Sequence, residues 1–262
     1  MDRTSRIIYD KHDKVVVITI NRPEKLNAMD PQANDELAQA FEQFKYDPDA
    51  WVAIITGAGD RAFCAGYDLE AAREMRFGKE DIHVGGRLLI GVTKGLELWK
   101  PSIAAINGLA MGQGLEMALA CDLRIAADVA TFGLPEVRWG VIAAGGGLSR
   151  VPRAMPIAKA MEIILIGDPI TAQEALHYGL VNKVVPQSEV IPTAMKWAER
   201  ICENGPLAVR ASKECVLRGL GMGLEDAMRL EEHLLVRLLQ TEDVKEGPKA
   251  FVEKRKPQFR AR

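Results

Sequence analysis

A chain of 262 residues that is 48% apolar and 27% charged is long enough to bury a substantial core, and its formal net charge of −2, with no long like-charge block, excludes broad capture of a polyanion such as nucleic acid. No apolar run approaches the roughly 18 residues that a membrane span needs, and MDRTSRIIYDKHDK at the N-terminus lacks the apolar stretch of a signal peptide, so a cytoplasmic protein away from membranes is expected. Cys64, Cys121, Cys202 and Cys215 contain no C-x-x-C pair, and His12, His83, His177 and His233 no H-E-x-x-H pattern, so reduced buried thiols and no metal are expected.

In chain order, VVVITI at 15–20 is a β-branched run that reads as a strand. The breaker sequence NRPEKLNAMD ends it, and a helix is expected from Asp30-Pro31 to about Tyr46. WVAIITG at 51–57 and IAAING after Pro101-Ser102 are further strand candidates, with a polar turn and then AFCAGYDLE between them. LEMALAC at 115–121 is made of helix formers, LRIAA at 123–127 suits a strand, and TFGLPEVRWG at 131–140 is loop-like. TAQEALHYGLVNKVVP at 171–186 reads as a capped helix, a glycine stop at Gly179 and a short strand. Strands alternating with helices predict an α/β fold with a parallel sheet. Beyond Pro192 the periodicity is helical, over 193–218 and 224–240, and a basic-apolar segment EGPKAFVEKRKPQF follows. The expected division is a core over 1–190 and a helical region over 191–262.

Two carboxylates stand out. Glu116 has Leu115, Met117, Ala118, Leu119 and Ala120 around it; the ordinary reading is a surface charge in a helix's first turn, yet so apolar a setting is costly for a carboxylate that is neither paired nor used. Glu136, in FGLPEVRWG, has apolar neighbours that would raise its pKa and Arg138 that would lower it, and a loop glutamate paired with arginine is its ordinary reading. Carboxylates in contrasting settings suit acid–base chemistry, one holding a proton while the other accepts one. Gly66 in FCAGYDL and the G-Q-G of residues 112–114 permit sharp turns that expose N–H groups, an arrangement fit to stabilise an oxyanion. A phosphate cradle is the competitor, but neither G-x-G-x-x-G with its later acidic residue nor G-x-x-x-x-G-K-[ST] is present. Cys64 has no histidine in the glycine loops to activate it, and the GGG run at 145–147 suggests close packing or a mobile lip.

Taken together, NRPEKLNAM (21–29), AFCAGYDL (62–69), AAINGLAMGQGLEMALACDLRIAA (104–127), FGLPEVRWG (132–140), GDPITAQEALHYGLVNKVV (167–185) and EGPKAFVEKRKPQF (246–259) resemble the enoyl-CoA hydratase/isomerase (crotonase) superfamily from end to end. The resemblance implies a crotonase-like spiral of ββα repeats with a helical C-terminal trimerisation region, and a homotrimer or homohexamer. It implies an acyl-CoA thioester as substrate, with CoA part of that substrate and no separate cofactor. Tyr67 and Gln113 match the residues whose backbone N–H groups bind the thioester oxygen. Glu136 matches the proton donor to Cα and Glu116 the residue that deprotonates the attacking water. Lys25, Leu26, Ala28, Ala65, Gly66, Asp68 and Leu69 match CoA and substrate contacts. Phe251 and Lys254 match residues that close over CoA, in a tail of 22 residues with seven Lys/Arg against four Asp/Glu.

Tyr67 and Gln113 depart from the alanine and glycine common in short-chain hydratases. A backbone donor leaves its side chain free to vary, so the implied chemistry survives while the acyl group stays open, and the stretch between Arg73 and Lys94, which shapes the acyl pocket in this family, does not size it. Both glutamates being present favours hydration or dehydration over double-bond migration. The alternatives on the same fold are an enoyl-CoA isomerase, a carnitinyl-CoA dehydratase or a cyclic dienoyl-CoA hydratase. A non-catalytic RNA-binding or assembly protein is the alternative from another class, disfavoured by the net charge of −2 and the lack of a basic-aromatic stripe.

Overall fold

A computed structural model describes residues 5–74 and 96–262. Strands β1 (Ile7–His12) and β2 (Val15–Ile20) form an antiparallel hairpin in which Ile7 faces Ile20. β2 pairs parallel with β3 (Val52–Gly57), a strand buried at all six positions, which explains why VAIITG carries no polar alternation. Between them runs α1 (Pro31–Tyr46): the Asp30 side chain caps it by accepting from the Ala33 N–H, and Pro31 opens its first turn. Its inner face is Ala33, Asn34, Leu37, Ala40, Phe41 and Phe44, at helical spacing, and it packs on β1 and β2. Phe41 and Phe44 are fully buried, each contributing roughly 1.5–3 kcal/mol.

From β3 onward the chain winds through repeats that send one strand to each of two sheets. The first repeat is β3, β4 (Ala62–Cys64) and α2 (Leu69–Glu74); the second is β5 (Ser102–Ile106), β6 (Leu109–Met111) and α3 (Gln113–Ala120); the third is β7 (Leu123–Ala127), β8 (Thr131–Gly133) and α4 (Gly147–Ala154). A 3-10 turn, Pro135–Trp139, follows β8, so the segment expected to be loop alone holds a short strand and a helical turn. The helix α5 (Ile157–Ile166), the strand β9 (Ile170–Thr171), the helix α6 (Ala172–His177) and the strand β10 (Lys183–Val185) complete the lobe. The larger sheet runs β1-β2-β3-β5-β7-β10 and the smaller β4-β6-β8-β9. This is the mixed α/β spiral of the crotonase-like fold, and it places the ends of β4, β6 and β8 side by side.

Thr171 and Glu174 form the capping box that starts α6. After β10 the chain is helical: α7 (Val190–Cys202), α8 (Pro206–Gly219), α9 (Leu224–Leu238) and α10 (Asp243–Val252). The helix expected over 193–218 is broken at Asn204-Gly205-Pro206, where proline begins a new helix. Val190, Ala194 and Ala198 of α7 pack on β3, β5 and β7, while α8 and α9 pack on each other. No helix among the described residues is long and apolar enough to cross a membrane.

Candidate active site

Two backbone turns meet where β4 and β6 end. Gly66 follows β4 with φ +105°, and Gly112 follows β6 with φ +53°. Both lie in the left-handed half of backbone space that a side chain disfavours. A Cβ on Gly66 would stand 3.7 Å from the Gln113 nitrogen, and one on Gly112 would stand 3.8 Å from the Gly66 Cα, so the turns touch. Gln113 is the first residue of α3, where an N–H has no partner within the helix and the dipole adds positive character. Tyr67, half-buried, is held in register by flanking bonds: the Met29 N–H donates to the Gly66 carbonyl at 2.8 Å and the Asp68 N–H to the Met29 carbonyl at 2.9 Å. The phenol of Tyr67 is pushed to higher pKa by burial, and Asp30 and Asp68 add to the shift.

Two glutamates lie near these turns, close enough for the charge of Glu116 to act on Glu136. Glu116, one turn into α3, is only 2% exposed, so the reading of a solvated surface charge does not hold. Its Oε1 accepts from the Gly147 N–H at 2.9 Å, and a Cβ on Gly145 would stand 2.3 Å from its Oε2. The GGG run is therefore the close-packed wall behind this carboxylate. Arg150 of α4 covers the outer side of the same run, its Nη1 donating to the Gly145 carbonyl at 3.2 Å; burial lowers its pKa while the charge of Glu116 holds it up. Glu136 sits in the 3-10 turn after β8 with Oε1 3.2 Å from where a Gly112 Cβ would be. Burial, reinforced by the Glu116 charge, pushes the Glu136 carboxyl up to about 7. Arg138 pairs with Asp168 instead of with Glu136.

The loop before α1 is wired to the same turns. Asn27, fully buried at φ +57°, donates to the Ala58 and Ala62 carbonyls at 3.0 and 2.8 Å, and the Ala65 N–H donates to the Leu26 carbonyl at 3.0 Å. Arg22, 5% exposed, reaches Asp68 at 3.0 Å and Asp30 at 3.3 Å and donates to the Ala28 carbonyl. Asp68 is held below its usual carboxylate range: burial opposes this, and bonds from Arg22 and from the N–H groups of Ala71 and Glu70 outweigh it. Beside Leu26, a cavity of about 210 Å³ is lined by Pro23, Glu24, Asn27, Gly59 and Arg61. Lys25 is at the surface, paired with Glu70 at 2.7 Å, and Leu69 is 53% exposed.

The structure thus brings together Glu116, Glu136, Tyr67, Gln113, Gly66 and the segment from Leu26 to Ala28. Phe251 is 85% exposed on α10 and Lys254 is exposed just beyond it, outside that cluster of contacts. Residues 75–95, which include His83 and most of the stretch tied to the acyl pocket, lie outside the described residues. Cys64 is buried and pushed up to about 12 by burial, a thiol without nucleophilic character at neutral pH. Among the described residues no group of His, Cys, Asp and Glu side chains is placed to hold a metal ion. Sequence reasoning missed Arg22, Asn27, Asn34 and Arg150. The available signal was a polar residue at an apolar position, as with Asn34 between Ala33 and Leu37 on the inner face of α1.

A family model described as enoyl-CoA hydratase/isomerase matches residues 10–262. The chain belongs to the enoyl-CoA hydratase/isomerase family. An (E)-benzylidenesuccinyl-CoA hydratase of Thauera aromatica is 43% identical over 256 residues, covering 94% of this chain and 95% of that protein. A carnitinyl-CoA dehydratase of Proteus mirabilis is 42% identical over 252 residues, 95% of each chain. The crystal structure of an enoyl-CoA hydratase from Bacillus anthracis superposes with a TM-score of 0.93 at 38% identity, covering 98% of this chain and 100% of that one. As a member of this family the chain is an enzyme of the hydro-lyase type.

Proposed function

We propose that this protein adds water reversibly across the 2,3 double bond of an enoyl-CoA thioester. The observation that carries the reading is the pair of carboxylates in unequal settings near two glycine turns, one with its pKa pushed up to about 7 and the other beside an N–H donor and a guanidinium. The N–H groups of Tyr67 and Gln113 receive the thioester oxygen. Glu116 takes a proton from water as the water oxygen bonds to Cβ, and the π electrons move onto the thioester oxygen as an enolate. Glu136 then delivers its proton to Cα, the enolate electrons forming the new C–H bond. One water has been added in net, and transfer of a proton from Glu116 to Glu136 through solvent resets the pair. Dehydration runs through the same states in reverse.

CoA lies along Lys25, Leu26 and Ala28 and the backbone of Ala65–Leu69, with the cavity beside Leu26 suited to the nucleotide end and Phe251 and Lys254 closing over it. Exposed apolar side chains on α8 and α9 and between them, including Leu217, Leu220, Leu224 and Met228, suit a trimer or hexamer. Two of the relatives named above carry substituted acyl groups in their names, benzylidenesuccinyl-CoA and carnitinyl-CoA, and the phenol of Tyr67 fits a polar or bulky acyl group better than a short alkyl chain.

The test is a panel of enoyl-CoA thioesters, from crotonyl-CoA through longer and aryl- or polar-substituted chains, followed by loss of the conjugated thioester absorbance. Turnover of at least one supports the reading. A folded protein that leaves every member untouched in both directions overturns it.

A further inference from the structure

Gln113 donates its backbone N–H to the thioester in the mechanism above, which makes no use of its side chain. Gln113 is 6% exposed, and its Nε2 donates to the Asn34 Oδ1 at 2.5 Å; Asn34 is 3% exposed. The orientation of both amides is fixed by chemistry. The Asn34 Nδ2 donates at 3.0 Å to the Asp30 carbonyl, which can only accept, so Asn34 must present oxygen to Gln113 and Gln113 must present nitrogen. This leaves the Gln113 Oε1 buried with no hydrogen-bond partner among the described residues. A buried amide with one atom unmet is a poorer core residue than an apolar side chain of similar size, so stability alone does not account for it.

The other half of the thioester site is tied to the same short segment. Met29 brackets Tyr67 through its bonds with Gly66 and Asp68, and Asp30 starts α1 by capping Ala33. Residues 29–34 therefore grip both turns, Tyr67 through backbone and Gln113 through its side chain.

We propose that Asn34 is a positioning residue for the oxyanion hole: its bond to the Gln113 side chain fixes the first residue of α3, and hence the direction of its N–H, relative to the turn that carries Tyr67. The inference rests on those two N–H groups being the thioester donors. A residue of this kind affects the rate at which bound substrate reacts more than the binding of CoA, which has its own contacts along Lys25–Ala28.

The experiment replaces Asn34 by leucine in the full chain, alone and together with Gln113→Gly. Asn34→Leu is expected to lower kcat by roughly tenfold or more with KM little changed, a share of what loss of a whole donor costs. The infrared carbonyl stretch of bound hexanoyl-CoA should shift less to low frequency than in the wild type. In the Gln113→Gly background, where no side chain remains to hold, the Asn34 change should add nothing. A folded Asn34→Leu protein with wild-type kcat and carbonyl stretch overturns the proposal, as does a loss that persists undiminished in the Gln113→Gly background. Should Asn34→Leu not fold, Asn34→Ala takes its place with the same outcomes. A wild type that polarises the hexanoyl-CoA carbonyl yet hydrates no enoyl-CoA sinks the proposed reaction alone, and the carbonyl shift then decides the role of Asn34.

Discussion

Replacing Gly145 by alanine perturbs the base without substituting either glutamate. Gly145 is outside the positive-φ set, so alanine meets no backbone penalty there, and its Cβ would stand 2.3 Å from the Glu116 Oε2 and 2.8 Å from its Cδ. Ordinary contact begins at 3.4 Å, so the carboxylate or the loop must retreat by about 1 Å, a displacement that costs roughly 10²-fold when it falls on a reacting group. The same overpacking destabilises the fold by about 1–3 kcal/mol, which at this size lowers Tm by roughly 2–4 °C per kcal/mol. Steady-state hydration should show kcat down roughly 100-fold with KM little changed. Adding Glu116→Asp, which withdraws the carboxylate by one methylene, should recover part of the lost Tm. A Gly145→Ala protein with kcat within roughly threefold of the wild type would refute the claim that Glu116 acts from this position.

Other consequences concern protons, charge and assembly. With Glu136 raised from its usual carboxylate value to about 7, the free enzyme keeps the acid form below that pH, so kcat/KM for hydration should fall as pH rises through about 7 while that for dehydration rises through it; a flat profile between pH 5 and 9 in both directions would contradict the assignment, a window set roughly two units either side of the value. The same shift means that Glu136 holds its proton more tightly folded than unfolded, so its contribution to stability is present below its ordinary carboxylate value and is lost as pH rises through about 7. Arg22→Met takes from Asp68 its paired cation, while Asp30 keeps Arg6 at 3.4 Å, in a setting where the arginine side chain is 6% exposed, and should cost about 3–5 kcal/mol by urea denaturation; an unchanged midpoint would show that the ion pair is not needed. The pair Leu224→Glu and Met228→Glu, on positions 78% and 54% exposed along α9, should shift sedimentation from oligomer toward monomer; a wild type that is already monomeric at micromolar concentration would remove the proposed assembly.

Strong local signals were legible in the sequence. Asp30-Pro31 started α1 where expected, and the Thr171 box and Gly179 delimited α6, because caps and breakers act within a few residues. The short strands β1 and β4 were not read as such, since IIYDKH and AFC take their strand identity from partners far along the chain. At the site, Glu116 and Glu136 were recognisable as carboxylates among apolar neighbours, but their approach to a common point depends on β6 and β8 lying side by side, which no local pattern encodes. The GGG run was ambiguous until the fold brought Gly145 and Gly147 against Glu116 across some thirty residues of chain. Arg150 acts with Glu116 and Asn34 with Gln113, partners distant in sequence, and their own neighbourhoods resemble an ordinary helix start and an ordinary amphipathic face.

The central claim is that two carboxylates and two N–H groups converge on one thioester. A crystal structure with a slowly reacting acyl-CoA bound tests it most directly. The thioester oxygen should lie within about 2.7–3.1 Å of the N–H nitrogens of Tyr67 and Gln113, with one water near Cβ touching both Glu116 and Glu136. A thioester oxygen bound away from those nitrogens, or a Cβ reached by neither carboxylate, would contradict it.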